Sequence, residues 1–475
     1  VAVIGTQLND GVVLDGLRRL AVLPGWLTAG TDPARVTAAL HASVPELTSG
    51  DWWVVTCEPK LRLKEGTCWT ASYRLTLAGR TGESRQLDLG GEYRPVRRAS
   101  SEPDVVRGEL GDPSWEARLP RLGLILHTRV QDDALPALPQ LTDPRLARQM
   151  LEEHLRAHQP GIHIESCTPE VMRYKPGSRC TVRYRVRYDA IGASGPHMVV
   201  AKTYRGDKGE NAYRGMVALD RAGIPTATVT LAEPLAFLSD LNVLLQGPVD
   251  EQETLKALTR RACTDGAAEL LAMWRTDVAK TADGLAALHT CGVEHGEVVT
   301  WTDELLEVRE LIERLSVPLP ETAGAAEPYL DALEALAEEH GADSPGPAHR
   351  SFRPAQVLLA GGHIAFIDFD GLCTAEPAID VALFRAAVRD VGASTAFEGN
   401  GTAIENRLRL LDKVCDDFLA RYRAAHPISI ERVALWESLD LLTFVLHCWS
   451  KLQPRRLAHR MAMLEHHLRT TPLLR

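Results

Sequence analysis

No stretch of this chain approaches the roughly eighteen consecutive apolar residues that a membrane-spanning helix needs. LDLLTFVLHCW, near residue 440, is too short and reads as a buried helix. Excess basic charge is also missing: 53 Lys and Arg stand against 63 Asp and Glu, a formal net charge of −10. That balance argues against nucleic acid or an anionic membrane as the main partner. The nine cysteines contain no C-x-x-C pair and the sixteen histidines no H-E-x-x-H, so neither a structural zinc site nor a zinc-hydrolase helix is indicated. Scattered thiols, odd in number, suit the reducing conditions of a cytoplasm, and the first residues lack the basic, apolar, small-residue order of a signal peptide. A cytoplasmic protein is expected. Its 475 residues are enough for roughly two to four domains with ample core.

What is present concentrates at residues 349–370, HRSFRPAQVLLAGGHIAFIDFD. The pattern is a loop, a strand, a Gly-Gly turn, a second strand and an acidic end. It resembles the aminoglycoside phosphotransferase superfamily, which also holds choline kinases and maltokinases. Their loop reads H-x-D-x-x-x-x-N, followed about a dozen residues later by I-D-F/W-D/E. The resemblance implies that His349 orients the loop, that Gln356 (in place of the usual Asn) and Asp368 hold Mg2+, and that Asp380 braces the catalytic loop. Asp370 is either a second carboxylate or a solvated strand end. Ser351 stands where the catalytic Asp belongs. A Ser hydroxyl has no useful basicity at pH 7, and general-base help is commonly worth roughly 10²–10⁴ in rate. Phosphoryl transfer is mostly positioning and charge neutralisation, so its loss leaves three readings: a nucleotide-binding pseudokinase, a slow kinase, or a kinase whose base comes from elsewhere.

The same resemblance places the other parts of an ATP site. In VVAKTYR, Lys202 is the phosphate-contacting lysine of a third strand; the alternative is a solvent-facing strand lysine. YKPGSRCTVRYRVRY is similar to the family's first hairpin, with Lys175, Gly177 and Ser178 at the turn over the phosphates, although it has one Gly rather than G-x-G-x-x-G. Glu210 is the nearest candidate to hold Lys202. LNVLLQGPVDEQETL, 241–255, looks like the strand and hinge that meet adenine. Pro248 has no N–H, so a donor must come from Gln246, Gly247 or Val249.

The chain also resembles itself. TDP at 31–33 recurs at 142–144, each opening an amphipathic helix with Asp as N-cap and Pro at its first position. Lys64, Gly66, Tyr73, Arg74, Tyr93 and Arg94 recur at that same offset as Lys175, Gly177, Tyr184, Arg185, Tyr204 and Arg205. Cys57 and Pro59 recur as Cys167 and Pro169, at an offset shorter by one. The difference implies a single inserted residue. On the longer offset Gly91 occupies the position of Lys202.

The expected fold class is therefore α+β: a bilobal protein-kinase-like fold preceded by a duplicated N-lobe. Residues 1–130 would be the degenerate repeat, opened by a short helical lead in 1–22. ALPALPQL would be a linker, 135–247 the kinase-like N-lobe and 248–475 the helical C-lobe. Helices are expected near 376–390, 403–424, 430–450 and 454–469. The acceptor is a hydroxyl on a small molecule, a sugar or a peptide, with His295, Glu297, Trp301 and Asp303 near its side of the cleft. The other function class is a pseudokinase that serves as scaffold or regulatory partner of another protein.

Overall fold

A computed structural model describes residues 11–98, 100–129, 132–158, 160–189, 195–224, 229–249, 252–396 and 401–474. Compactness divides the chain discontinuously. One unit comprises 1–131, 301–339 and 438–475; the other comprises 132–300 and 340–437. Among the described residues no helix is long and apolar enough to cross a membrane.

The first unit is built on a six-stranded sheet in the order β1-β2-β3-β6-β5-β4. Its strands are β1 (Trp52–Glu65), β2 (Cys68–Gly79), β3 (Ser84–Tyr93), β4 (Val105–Arg107), β5 (Glu116–Leu119) and β6 (Leu124–Thr128). On β2 alternate residues Trp69, Ala71, Tyr73, Leu75 and Leu77 are buried, the period-two pattern of a strand with one face on a core. Helices Gly11–Arg19, Trp301–Ser316 and Glu321–Glu339 belong to the same unit. Trp69 Nε1 donates to the Ser450 carbonyl at 3.1 Å and Trp449 Nε1 to that of Leu20 at 2.9 Å. Residues 1–10 of the expected helical lead lie outside the described residues.

The second unit has the kinase-like plan of a β-rich part followed by a helical part. Its main sheet runs β11-β12-β9-β8-β7, with β7 (Ile164–Lys175), β8 (Arg179–Tyr188), β9 (Met198–Tyr204), β11 (Pro234–Leu238) and β12 (Val243–Gln246); β10 (Val229–Leu231) lies outside it, in a smaller sheet. ALPALPQL is not a linker: Leu138–Thr142 is helical, and Leu135, Ala137 and Leu141 are buried in the core beneath this sheet. Prolines there start a helix rather than break one, since Pro139 sits in its first turn. Helices Leu255–Asp265, Ala268–His289, Ala378–Ser394 and Gly401–Ala425 form the helical part. The hairpin Val357–Ala360 with His363–Phe366 carries the candidate loop's strands, and β10 adds to it in parallel.

The repeated residues have repeated geometry. Asp32 caps helix Pro33–Ser43 through Ala34 N–H at 2.9 Å, and Asp143 caps helix Pro144–His158 through Arg145 N–H at 2.8 Å. Gly66 and Gly177 both have positive φ, 57° and 69°. The β1–β2 ladder skips Val55 and the β7–β8 ladder skips Glu165, its equivalent on the shorter offset. A further skip at Met172 is where the shorter offset gives way to the longer one. The third strand departs from expectation. Thr70 faces Glu92, whereas Thr181 faces Lys202, so Glu92, not Gly91, occupies the lysine rung. Register follows strand pairing and loop length, and the connections differ: β2 to β3 runs from Gly79 to Ser84, β8 to β9 from Tyr188 to Met198.

Candidate active site

Lys202 lies on the face of β9 opposite the buried Val199 and Ala201. Its Nζ is 3.1 Å from Asp368 Oδ1, and both side chains are largely buried. Asp368 follows the strand His363–Phe366 and has φ of 77°. A non-glycine residue in this left-handed region is strained, which is tolerated where surrounding contacts fix it. Here the contacts are ionic. Arg179, first residue of β8, places Nη1 3.4 Å from Asp368 Oδ2 and 3.2 Å from Asp370 Oδ2. Tyr204 donates its hydroxyl to Asp370 Oδ1 at 2.9 Å. Asp370 is thus a second carboxylate of the cluster, not a solvated strand end.

The two carboxyls respond in opposite senses. Burial pushes Asp368 up, but Lys202 and Arg179 together outweigh it and hold the group well below the usual carboxylate range. Burial and the neighbouring Asp368 charge push Asp370 up. The Tyr204 phenol is raised by burial first, then by the two carboxylates.

The loop is held from below. Asp380, fully buried in helix Ala378–Ser394, accepts the His349 backbone N–H at 2.5 Å and lies 3.2 Å from His289 Nε2. His349 is itself buried. Its Nε2 is 3.0 Å from the Ile367 carbonyl. A carbonyl only accepts, so Nε2 carries the proton and Nδ1 is left as the acceptor of the neutral ring. Ser351 Oγ lies 3.3 Å from that Nδ1, so the Ser351 hydroxyl donates to His349. Arg350 between them has φ of 60° and pairs with Glu297 at 2.7 Å. Gln356 is joined to the strand end through Ile367 N–H to its carbonyl at 3.1 Å. Its side-chain Oε1 is buried without a hydrogen-bond partner.

That orphaned oxygen and the Asp368 carboxylate are hard donors of the kind a magnesium ion takes, so their chemistry fits such an ion, while both Asp368 oxygens are engaged here by Lys202 and Arg179. Among the described residues no cluster of three or more His, Cys, Asp and Glu could hold a metal.

Other expected contacts fall elsewhere. Glu210 does not hold Lys202: it pairs with Arg214 one helical turn on, at 2.5 Å, on an exposed face. Charge balance for Lys202 comes instead from Asp368. At the hairpin, Gly177 N–H donates to Asp132 Oδ2 at 2.7 Å and Tyr174 donates its hydroxyl to the same oxygen at 2.8 Å, so that amide does not point freely at a phosphate. Lys175 ends β7, and Ser178 N–H closes the turn on its carbonyl at 3.1 Å. In the hinge, Gly247 N–H is committed to the Glu233 carbonyl at 2.8 Å, and Gln246 is buried in the β12–β9 ladder. Residues 250 and 251 of this stretch lie outside the described residues. A cleft of about 460 Å³ beside the hinge is lined by Pro248 and Val249 with Thr230, Gln252 and His363, but by none of Lys202, Gln356 and Asp368. His295 turns to the helix after β9, its Nε2 3.0 Å from the Asn211 carbonyl.

Residues 193–411 match the family model described as phosphotransferase enzyme family. That segment is phosphotransferase-like. The match bears out the resemblance drawn from the 349–370 loop. Remote likenesses accompany it. A glucosamine kinase structure is 16% identical with a TM-score of 0.47, covering 94% of this chain and 100% of its own. A choline kinase from Streptococcus pneumoniae is 14% identical with a TM-score of 0.44, covering 68% and 99%. An ethanolamine kinase from Plasmodium vivax is 11% identical with a TM-score of 0.43, covering 70% and 89%. Comparison with curated proteins gives no match. The assignment therefore rests on the family match and the site.

Sequence reasoning does not find Arg179, Tyr204 or Asp132 as site residues. A signal for Arg179 exists in the repeat: its equivalent on the longer offset is Cys68, a change from thiol to cation at one of the few places where the copies are otherwise alike.

Proposed function

We propose that the protein binds ATP with Mg2+ between β7–β9 and the 349–370 loop, and that it is a kinase-like phosphotransferase acting on a hydroxyl of a small molecule, sugar or peptide. The observation that carries this reading is the buried Lys202–Asp368 pair at 3.1 Å, together with a buried, unpartnered side-chain oxygen on Gln356, whose backbone is hydrogen-bonded to Ile367. Isolating such charges and an amide from water is costly unless something uses them.

On this reading Lys202 binds phosphate oxygens, and Gln356 and Asp368 hold the metal. Bound magnesium supplies charge neutralisation of the phosphates. Ser351 is the weakened part. Its proton is engaged by His349, so its lone pairs can accept from an incoming hydroxyl and orient it but not deprotonate it. Transfer then proceeds by positioning alone and is slow. Ser351 favours a second reading, a pseudokinase whose occupied nucleotide site stabilises a scaffold for a partner protein. The recurrent caps, the turn glycines and the one matching skip at Val55 and Glu165 support residues 1–130 as a degenerate repeat of the 135–247 lobe. Glu92 on the lysine rung gives that repeat a charge unsuited to phosphate.

Calorimetric titration of the full chain with ATP, with and without magnesium, tests the proposal, alongside Lys202→Ala and Asp368→Ala. Magnesium-dependent binding lost in both variants supports the nucleotide site. No binding under any condition removes both readings of that site. Binding without phosphoryl transfer to any hydroxyl acceptor favours the pseudokinase.

A further inference from the structure

The cluster at the strand end holds more positive charge than Lys202 alone supplies. Arg179 Nη1 sits between two carboxylates, 3.4 Å from Asp368 Oδ2 and 3.2 Å from Asp370 Oδ2, while Asp368 Oδ1 takes Lys202. All four side chains are mostly buried, from 10 to 21% exposed. Two acids and two bases make a cluster that is neutral without any added ion. A guanidinium keeps its charge at every accessible pH, and this one is anchored: Arg179 is paired in the β8–β9 ladder with Tyr204, whose hydroxyl holds Asp370 from the other side.

We infer that Arg179 is a resident cation which occupies the metal-facing side of Asp368 and Asp370, so that a divalent ion enters only by displacing it. This inference rests on the reading that Asp368 and Gln356 are metal ligands. A divalent cation needs carboxylate oxygens that are free of other charge. Here Asp368 Oδ2 faces Arg179, and an ion placed beside it meets a positive charge at contact distance, in a largely buried cluster where such repulsion is strong. The protein is thus built to keep its acidic pair satisfied when no metal is present and to bind the metal weakly until phosphate oxygens draw Arg179 away. In the first unit the equivalent position is Cys68, a thiol in place of the guanidinium.

The test uses Mn2+ alone as probe, read by the electron paramagnetic resonance signal of the free ion against the nucleotide-free full chain. Arg179→Gln is expected to bind Mn2+ at least ten-fold more tightly than the parent, Arg179→Lys to stay near the parent value, and Arg179→Gln/Asp368→Asn to lose the gain. Thermal melting of each variant establishes that it is folded. Mn2+ binding that depends on Asp368 but is unchanged or weaker in Arg179→Gln overturns the inference and leaves the metal reading intact. No Mn2+ binding in any variant, with ATP also unbound, overturns both.

Discussion

Tyr73 and Tyr184, which match when the sequence is compared with itself, make the same hydrogen bond: each donates its buried hydroxyl to a backbone carbonyl at the entry to a helix, Gly30 at 2.8 Å and Leu141 at 2.9 Å. Gly30 and Leu141 are separated along the chain by the same interval as the two tyrosines. A bond that pins a sheet to its helix from the strand next to the sheet edge involves both elements at once, so its recurrence is a likeness of structure and not only of residue types.

Tyr73→Phe and Tyr184→Phe should each destabilise the protein by about 1–3 kcal/mol, the usual cost of removing one partner of a buried hydrogen bond. Urea denaturation of each variant checks this. An unchanged midpoint in either one would make that hydroxyl idle.

Ser351→Asp should raise ATP turnover by about 10²–10⁴, the common worth of a general base, measured as ADP release with a hydroxyl acceptor present. The new carboxylate would restore a group able to take the acceptor proton. If turnover stays flat while ATP still binds, the acceptor side is missing too.

Stability should respond to pH through Asp368. Its carboxyl is held below its ordinary value of 3.8 in the folded protein, so the stabilisation it gives is fully present above that value. It is lost as pH falls through the folded pKa, because the unfolded chain then binds the proton first. The melting-temperature difference between the parent and Asp368→Asn should be constant from pH 5 to 7 and shrink below about pH 4. A difference that grows on acidification would contradict the ionic account of this cluster.

Glu376 is buried against Arg432 and Trp436, with Arg432 Nε 3.0 Å from Glu376 Oε2. Breaking one side of such a pair leaves a charge in the interior. Glu376→Gln should therefore cost roughly 3–5 kcal/mol, read by chemical denaturation, whereas a loss under about 1 kcal/mol, the ordinary worth of an exposed pair, would mean that water reaches the guanidinium.

The loop at 349–370 is legible because its chemistry-bearing residues are close in sequence and their spacing is set by one hairpin. Helix periodicity is equally direct: the expected 454–469 is Pro454–Thr470. Arg179 is not legible as a partner of the distant Asp368, since nothing local distinguishes a strand arginine that reaches a buried carboxylate from one that faces solvent. Glu210 misleads for the converse reason. It has the right charge near Lys202 in sequence, but its position on the helix directs it to Arg214. ALPALPQL reads as a linker only while its prolines are weighed above Leu135 and Leu141, whose burial outranks them.

Tyr93 and Tyr204 part company through register alone. Tyr93 points inward and gives its hydroxyl to the Leu27 carbonyl at 3.0 Å, whereas Tyr204 reaches Asp370. The two occupy matching places in the sequence but differ by one rung in the ladder, and a strand has only two sides. A core tyrosine and a carboxylate-binding tyrosine are thereby the same letter read on opposite faces, and a unit of this kind can acquire a new chemical surface by altering the length of a loop while every residue of the strand stays as it was.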